Sequence, residues 1–262
     1  MTTTLLLVFI IADAAFLTRY YLQKQKQELA QLTNDLRLSE EALQVANRKL
    51  HLLSSITRHD INNQLTAMRI YLDLSREVHD EPEKYEECLA KGREITKTIE
   101  RQLEFTRQYE GLGEKRPVFQ DLSACIAKAE ADHDLAGTSV KVTGNPRVEI
   151  FADLLFEKVL FNLFDNSLRH GGKGMNAITI SVAEAGERLN ISFEDNGCGI
   201  ECDKKKPIFL QGYGKNTGFG LFLSREILGI TGITISENGT PGKSARFEIV
   251  VPSGAYRFPV KE

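Results

Sequence analysis

The chain has 262 residues, 42% of them apolar and 26% charged, with 33 Lys and Arg against 36 Asp and Glu for a net charge of −3. At about 150 residues per domain this is roughly 1.7 domains, and the composition excludes a disordered chain, a collagen and a polytopic membrane protein. Nucleic-acid binders carry a basic excess that is missing here, so no nucleic-acid partner is expected. The four cysteines (Cys88, Cys125, Cys198, Cys202) are too few for a disulfide scaffold and form no C-x-x-C pair.

In chain order, the first segment departs from this average. Thr2 to Thr18 holds one charge, Asp13, and the run Leu5 to Ile11. Its length is near the lower limit of a spanning helix. Arg19, Lys24 and Lys26 follow it, so the positive-inside rule predicts a single membrane anchor over 1–22 with the remainder in the cytoplasm. The alternatives are a buried or interfacial helix, or the remnant of a longer membrane segment, and the alternative location is the cytoplasm. Next, Leu22, Leu29, Leu36, Leu43 and Leu50 recur every seven residues, with Leu32, Ala46 and Leu53 three residues after members of that series. This a/d seam, interrupted by Gln25 and Ser39, predicts a parallel two-stranded coiled coil over 23–50. The alternative is an amphipathic helix packed on its own domain. A helix from Arg19 to His59 would be about 60 Å long.

Residues 51–112 read as a helical hairpin. Ile56, Leu65, Met68 and Leu72, then Leu89, Ile95, Ile99 and Leu103, keep helical spacing, and Asp80-Glu81-Pro82 marks the turn. Two such helices cannot bury their stripes alone, whereas two copies would make a four-helix bundle. From 113 to 262 the pattern becomes mixed α/β. Strands are expected at Ser139–Thr143, Val148–Phe151, Ala177–Ala185, Arg188–Glu194, Gly232–Ser236 and Arg246–Val251, and helices at Leu122–Asp132, Asp153–His170 and Gly218–Thr231. Asp121 and Asp153 are the expected N-caps, and Gly186-Glu187 and Gly239–Gly242 the turns. The fold class is therefore α+β: an N-terminal helix, a dimeric hairpin and a sandwich.

Four clusters carry chemistry. His59-Asp60, followed by Asn63, sits on the first hairpin helix; a carboxylate beside an imidazole fixes its tautomer and raises its nucleophilicity. Asn162 and Asn166 lie four apart on one helix face, and amide oxygens at that spacing suit a hard cation. Arg169 and His170 follow, one turn on, where they can meet phosphate. Asp195-Asn196-Gly197-Cys198-Gly199 follows a strand, with a carboxylate that can accept an exocyclic amine and glycines that admit a flat ring. Finally, Gly212-Tyr213-Gly214-Lys215-Asn216-Thr217-Gly218-Phe219-Gly220-Leu221 opens a helix, the setting of an anion site. It is not a Walker A loop, because Asn follows Lys215. Singly, each cluster has a plainer structural explanation: a solvated histidine, surface amides, turns.

Taken in order, His-Asp on a hairpin, N-x-x-x-N, D-x-G-x-G and G-x-G-L resemble the H, N, G1 and G2 boxes of a sensor histidine kinase. The resemblance covers about Leu50 to Pro252. Ser54 to Leu65 and Gly212 to Pro252 look most like archaeal kinases of the methanogen type. It implies a sandwich of the GHKL (Bergerat) ATP-binding fold after a HisKA-type dimerisation hairpin. His59 would be the phospho-acceptor and Asp60 its orienting base. Asn166 with Asn162 would hold Mg²⁺, and Arg169 and His170 would touch phosphate. Asp195 would read the adenine of ATP. Gly197, Gly199, Gly218 and Gly220, followed by Leu221, would flank a lid over Glu201 to Thr217, from which Lys215 reaches the phosphates. Asn63 matches the position that orients a hydrolytic water in family members that are also phosphatases. The implied partners are a second copy of the chain and a response-regulator receiver domain. Three features depart from the family pattern: Gln64 stands where Pro is frequent, the lid is short, and its F-box is reduced to Ile208-Phe209-Leu210. A gyrase-type ATPase of the same fold would carry Glu at the position of Asn162 and would lack His59-Asp60. The rival from another class is a non-catalytic, membrane-anchored ATP-binding scaffold, or a regulator that acts only as a phosphatase.

Overall fold

The computed structural model describes residues 17, 19–37, 39–40, 43, 47, 50, 53, 60–135, 137–213 and 218–259. The chain divides into two compact units, Met1–Ser55 and Ile56–Glu262.

In the first unit, residues 19–37 form one continuous helix, α1, and the described positions from 39 to 53 are helical as well. The heptad leucines Leu22, Leu29, Leu32, Leu36, Leu43 and Leu50 are all exposed, by 53–70%. Almost all of the expected anchor segment, Thr2 to Thr18, lies outside the described residues. Among the described residues no helix is long and apolar enough to cross a membrane.

The second unit begins with the hairpin, α2 (Ile61–Glu77) and α3 (Pro82–Gly111). Pro82 takes the first helical position of α3, where a missing N–H costs nothing and the fixed φ favours the helix. Gly92 of α3 faces Met68 of α2, the sulfur 3.5 Å from where a Cβ would stand. The turn therefore falls where Asp80-Glu81-Pro82 predicts it. Ile56 and His59 lie outside the described residues.

The sandwich follows: β1 (Val118–Asp121), α4 (Leu122–Ala131), β2 (Ser139–Gly144), β3 (Glu149–Ala152), α5 (Phe156–His170), β4 (Ala177–Ala185), β5 (Arg188–Asp195), a single 3₁₀ turn at Pro207–Phe209, α6 (Gly220–Gly229), β6 (Thr234–Glu237), β7 (Ala245–Val251) and β8 (Tyr256–Arg257). The main sheet has the order β2-β4-β5-β7-β6, parallel only between β2 and β4. A small antiparallel sheet, β1-β3-β8, stands beside it. β4 and β5 join through the two-residue turn Gly186-Glu187, with Ala185 paired to Arg188 and Gly186 at φ 63°. A two-residue hairpin loop needs such positive φ, which glycine supplies without strain. Alternation along β5 and β7 sends Leu189, Ile191, Phe193, Phe247, Ile249 and Val251 inward. They meet Phe156, Leu160, Leu163 and Phe164 of the strongly amphipathic α5, all at or near zero exposure. The Phe164 and Phe193 rings meet edge to face at 5.0 Å.

Asp121 caps α4 as expected, accepting from the Ala124 N–H at 2.9 Å. Asp153 does not cap α5, which starts three residues later at Phe156. Its carboxylate instead accepts from Leu155 N–H at 2.9 Å and from Gly113 N–H at 3.1 Å. It thereby ties the end of the hairpin to the entry of α5. The strand expected from Gly232 begins only at Thr234, because Gly232 at φ 71° still closes the turn after α6.

Candidate nucleotide site

The end of α5, the start of α6, the loop after β5 and one face of α3 enclose a cavity of about 550 Å³. At its base is Asp195, the last residue of β5, which is 2% exposed. Its Oδ1 accepts from Gly197 N–H at 2.9 Å and its Oδ2 from the Ser167 hydroxyl at 2.5 Å. Apolar walls come from Phe161, Ile200, Ile208, Leu223, Ala245 and Phe247. A buried carboxylate among flat apolar walls fits a heteroaromatic ring that offers an amine.

The glycines after Asp195 serve close packing. A Cβ on Gly197 would stand 2.6 Å from the backbone of Gly171. One on Gly199 (φ 66°) would stand 2.5 Å from the Thr240 carbonyl. Asn196 fastens the same loop to the start of β4, its Oδ1 accepting from Asn176 and Ala177 N–H, each at 3.0 Å.

Asn162 and Asn166 both face the cavity from α5, one turn apart. Asn162 has a structural task as well: its amide donates to the Gly220 carbonyl at 2.9 Å and to the Ser224 hydroxyl at 3.1 Å. It thereby clamps α5 to the first turn of α6, and its Oδ1 lies 3.4 Å from where a Cβ on Gly220 would stand. Arg169 and His170 stand at the exposed edge of the cavity. Arg169 arrives there paired to Asp165, one turn earlier, at 2.6 Å. Gly218, Gly220 and Leu221 line the α6 side. Of the remaining expected residues, Asp60 directly precedes α2 and Asn63 lies exposed in its first turn. His59 and Lys215 lie outside the described residues.

Several residues of the site went unnoticed in the motif reading. Asp165 sits inside the N-x-x-x-N stretch and carries a pairing signal only at its i,i+4 spacing to Arg169, and Ser167, one residue beyond Asn166, carries none. The larger omission is on α3. Phe105 and Tyr109, one turn apart and buried, stack on each other at 5.5 Å. Phe105 also stacks on Phe219 at 4.2 Å, between the two glycines that open α6, and Tyr109 on Phe222 at 6.0 Å. The hairpin thus holds the glycine-rich segment by an aromatic cluster. Within the expected lid, Lys205 is pinned at its base, 2.7 Å from the fully buried Glu237 carboxylate and 2.6 Å from the Gly239 carbonyl.

Among the described residues no three His, Cys, Asp or Glu side chains cluster as a metal site. Asn162 and Asn166 bring amide oxygens to the cavity, and together with oxygens of a bound nucleotide these would make a donor set that suits Mg²⁺.

Residues 152–255 match the family described as histidine kinase-, DNA gyrase B-, and HSP90-like ATPase. The alginate biosynthesis sensor protein KinB of Pseudomonas aeruginosa is 27% identical over 217 residues, 74% of this chain and 35% of KinB. The signal transduction histidine-protein kinase AtoS of Escherichia coli (strain K12) is 28% identical over 207 residues, 74% of this chain and 33% of AtoS, so the chain is similar to sensor histidine kinases. The adaptive-response sensory kinase SasA of Parasynechococcus marenigrum (strain WH8102) is 26% identical over 86% of this chain and 63% of its own length. The histidine kinase AdeS of Acinetobacter baumannii superposes with a TM-score of 0.51 at 19% identity, over 75% of this chain and 98% of the AdeS chain. That likeness is one of fold, and the sandwich has the GHKL ATPase fold. The chain spans about a third of the length of the curated relatives it matches first.

Proposed function

We propose that this chain is a protein-histidine kinase that phosphorylates its own His59 from ATP and passes the phosphoryl group to an aspartate of a response-regulator receiver domain. The observation that carries the reading is the buried Asp195 at the base of an apolar cavity whose exposed edge is polar and basic. That arrangement matches the two ends of ATP. A ring nitrogen of His59 would attack the γ-phosphorus, the bond to the bridging oxygen would break, ADP would leave, and Asp60 would take the ring proton. Most of the catalysis would come from positioning and charge neutralisation. Asn166, Asn162, Arg169, His170 and Lys215 supply the groups for it. Mg²⁺ bound on the Asn162–Asn166 face would neutralise phosphate charge. Asn at position 162, where an ATPase of the same fold places a carboxylate base, favours transfer to His59 over hydrolysis of ATP.

The chain would act as a homodimer through the hairpin and a coiled coil in α1. Support comes from the leucine seam of α1 and from Leu65, Leu72 and Leu103 of the hairpin, all of them exposed in a single chain. The division into anchor (1–22), coiled coil (23–50), hairpin (51–112) and catalytic sandwich (113–262) belongs to the same proposal. So does a single-pass membrane location with the catalytic part in the cytoplasm. Asn63, exposed and four positions after His59 in the sequence, would orient a water for dephosphorylation of the receiver; an Asn63→Ala chain that dephosphorylates it at the normal rate removes that part.

The test is to incubate the purified chain with γ-labelled ATP and Mg²⁺. Acid-labile, alkali-stable label that disappears in His59→Ala supports the kinase. A wild-type chain that binds ATP yet takes up no label supports the scaffold instead.

A further inference from the structure

Ser167 stands one residue beyond Asn166 on α5 and is 2% exposed, as buried as Asp195. Its hydroxyl donates to Asp195 Oδ2 at 2.5 Å. Asp195 Oδ1 accepts from Gly197 N–H at 2.9 Å and, more loosely, from Ala245 N–H at 3.4 Å. A serine hydroxyl has one proton and two lone pairs. With that proton committed to Asp195, Ser167 turns only acceptor capacity toward the cavity that both residues line. Each of the three bonds on the Asp195 carboxyl comes from a donor, so this group also works as an acceptor. Its Oδ1 is filled by two backbone donors, while its Oδ2 keeps one position for a ligand. The base of the cavity is thus an acceptor-only pair whose rotamers are fixed from several sides.

We propose that Ser167 and Asp195 jointly read the exocyclic amine of a six-amino purine, and that Ser167 is a specificity-determining residue that rejects six-oxo purines. This rests on the nucleotide reading above and extends it. A six-amino group directs one N–H at these two acceptors, which stand 2.5 Å apart and share its proton. A six-oxo group brings lone pairs to them and leaves buried polar groups facing one another unpaired, which is the arrangement that discriminates most strongly between isosteric ligands. Without the serine hydroxyl, the Asp195 carboxyl loses the bond that orients Oδ2. It can then rotate toward ring N–H donors that a six-oxo purine does possess. Removing Ser167 therefore weakens the six-amino ligand and tolerates the six-oxo one.

The experiment uses the full chain as wild type, Ser167→Ala, Ser167→Thr and Asp195→Asn. Each is titrated with ATP, ITP and GTP in competition with a fluorescent adenine nucleotide in Mg²⁺, and its thermal unfolding is followed in parallel. Ser167→Ala is expected to lose about tenfold in ATP affinity and at most about threefold in ITP affinity, so that the ATP-to-ITP ratio falls. Ser167→Thr, which keeps the hydroxyl, retains the wild-type ratio. Asp195→Asn, which can donate from its amide, moves the ratio furthest. Equal losses for ATP and ITP with a lower melting temperature would show that Ser167 only supports the fold, and an unchanged ratio with unchanged affinities would overturn the proposal as well. A wild-type chain that binds none of the nucleotides overturns the ATP reading itself, an outcome distinct from both.

Discussion

The sandwich and the hairpin belong to one compact unit, yet they treat their apolar side chains in opposite ways. In the sandwich, Phe156, Phe164, Phe193, Leu160, Ile180 and Ile191 have no exposed surface. On the hairpin, Leu65, Ile70, Leu72 and Leu103 are 47–54% exposed. Helical periodicity is present in both regions. The difference lies in what is available to pack against: α5 has a sheet beneath it, while α2 and α3 pack mainly on each other, α3 also meeting Phe219 and Phe222 through Phe105 and Tyr109. The sandwich is complete within one chain. The hairpin carries an unpaired apolar face of the kind that a second copy covers in a four-helix bundle.

The contrast is broken most severely from within the sandwich. Phe164→Ala removes a fully buried ring that packs edge-on against Phe193. It should cost about 3–5 kcal/mol in denaturant unfolding, and a cost near that of a surface substitution would contradict a core organised on α5. Lys205→Met should cost about 3 kcal/mol, because it strands the fully buried Glu237 carboxylate. Lys205→Arg should recover most of that loss if the ion pair, rather than the lysine stem, is responsible. On the hairpin, Leu72→Asp should leave the unfolding of the sandwich unchanged and weaken self-association at least about tenfold in sedimentation equilibrium. Unaltered self-association would mean that this face is not the dimer contact. The smallest effect is chemical. Burial pushes the Cys125 thiol up to about 11, helped by the nearby Glu157 and Asp121 carboxylates. A raised thiol pKa leaves the unreactive protonated form in place at pH 8, so iodoacetamide should label the exposed Cys198 well before Cys125. Labelling of Cys125 should rise only as the pH approaches 11.

The elements legible in the sequence are those whose signal is local. The limits of β4 follow from strict alternation, and Gly186-Glu187 ends it by turn chemistry. Asp121 caps α4 because its partner is three residues away. Asp153 has the same residue type but bonds Gly113, forty positions away, and no local pattern shows that. β8, two residues long, is too short for a period to register. The site divides in the same manner. Three of the four motif stretches, those that carry Asn162, Asn166, Arg169, His170, Asp195 and the α6 glycines, line one cavity. The groups that fix those residues are long-range partners. Ser167 is set by Asp195, Phe105 by Phe219, and Lys205 by Glu237, and in each case only the tertiary fold reveals the pair.

The central claim is that the sandwich supplies the nucleotide and the hairpin the acceptor. The most direct measurement separates them: residues 113–262 and residues 23–112 are made as two proteins, and each alone and the mixture are incubated with γ-labelled ATP and Mg²⁺. The account predicts that the sandwich alone binds ATP and stays unlabelled. In the mixture, acid-labile label should appear on the hairpin protein and be lost when that protein carries His59→Ala. Label on the sandwich, or undiminished label on the His59→Ala hairpin, would contradict it.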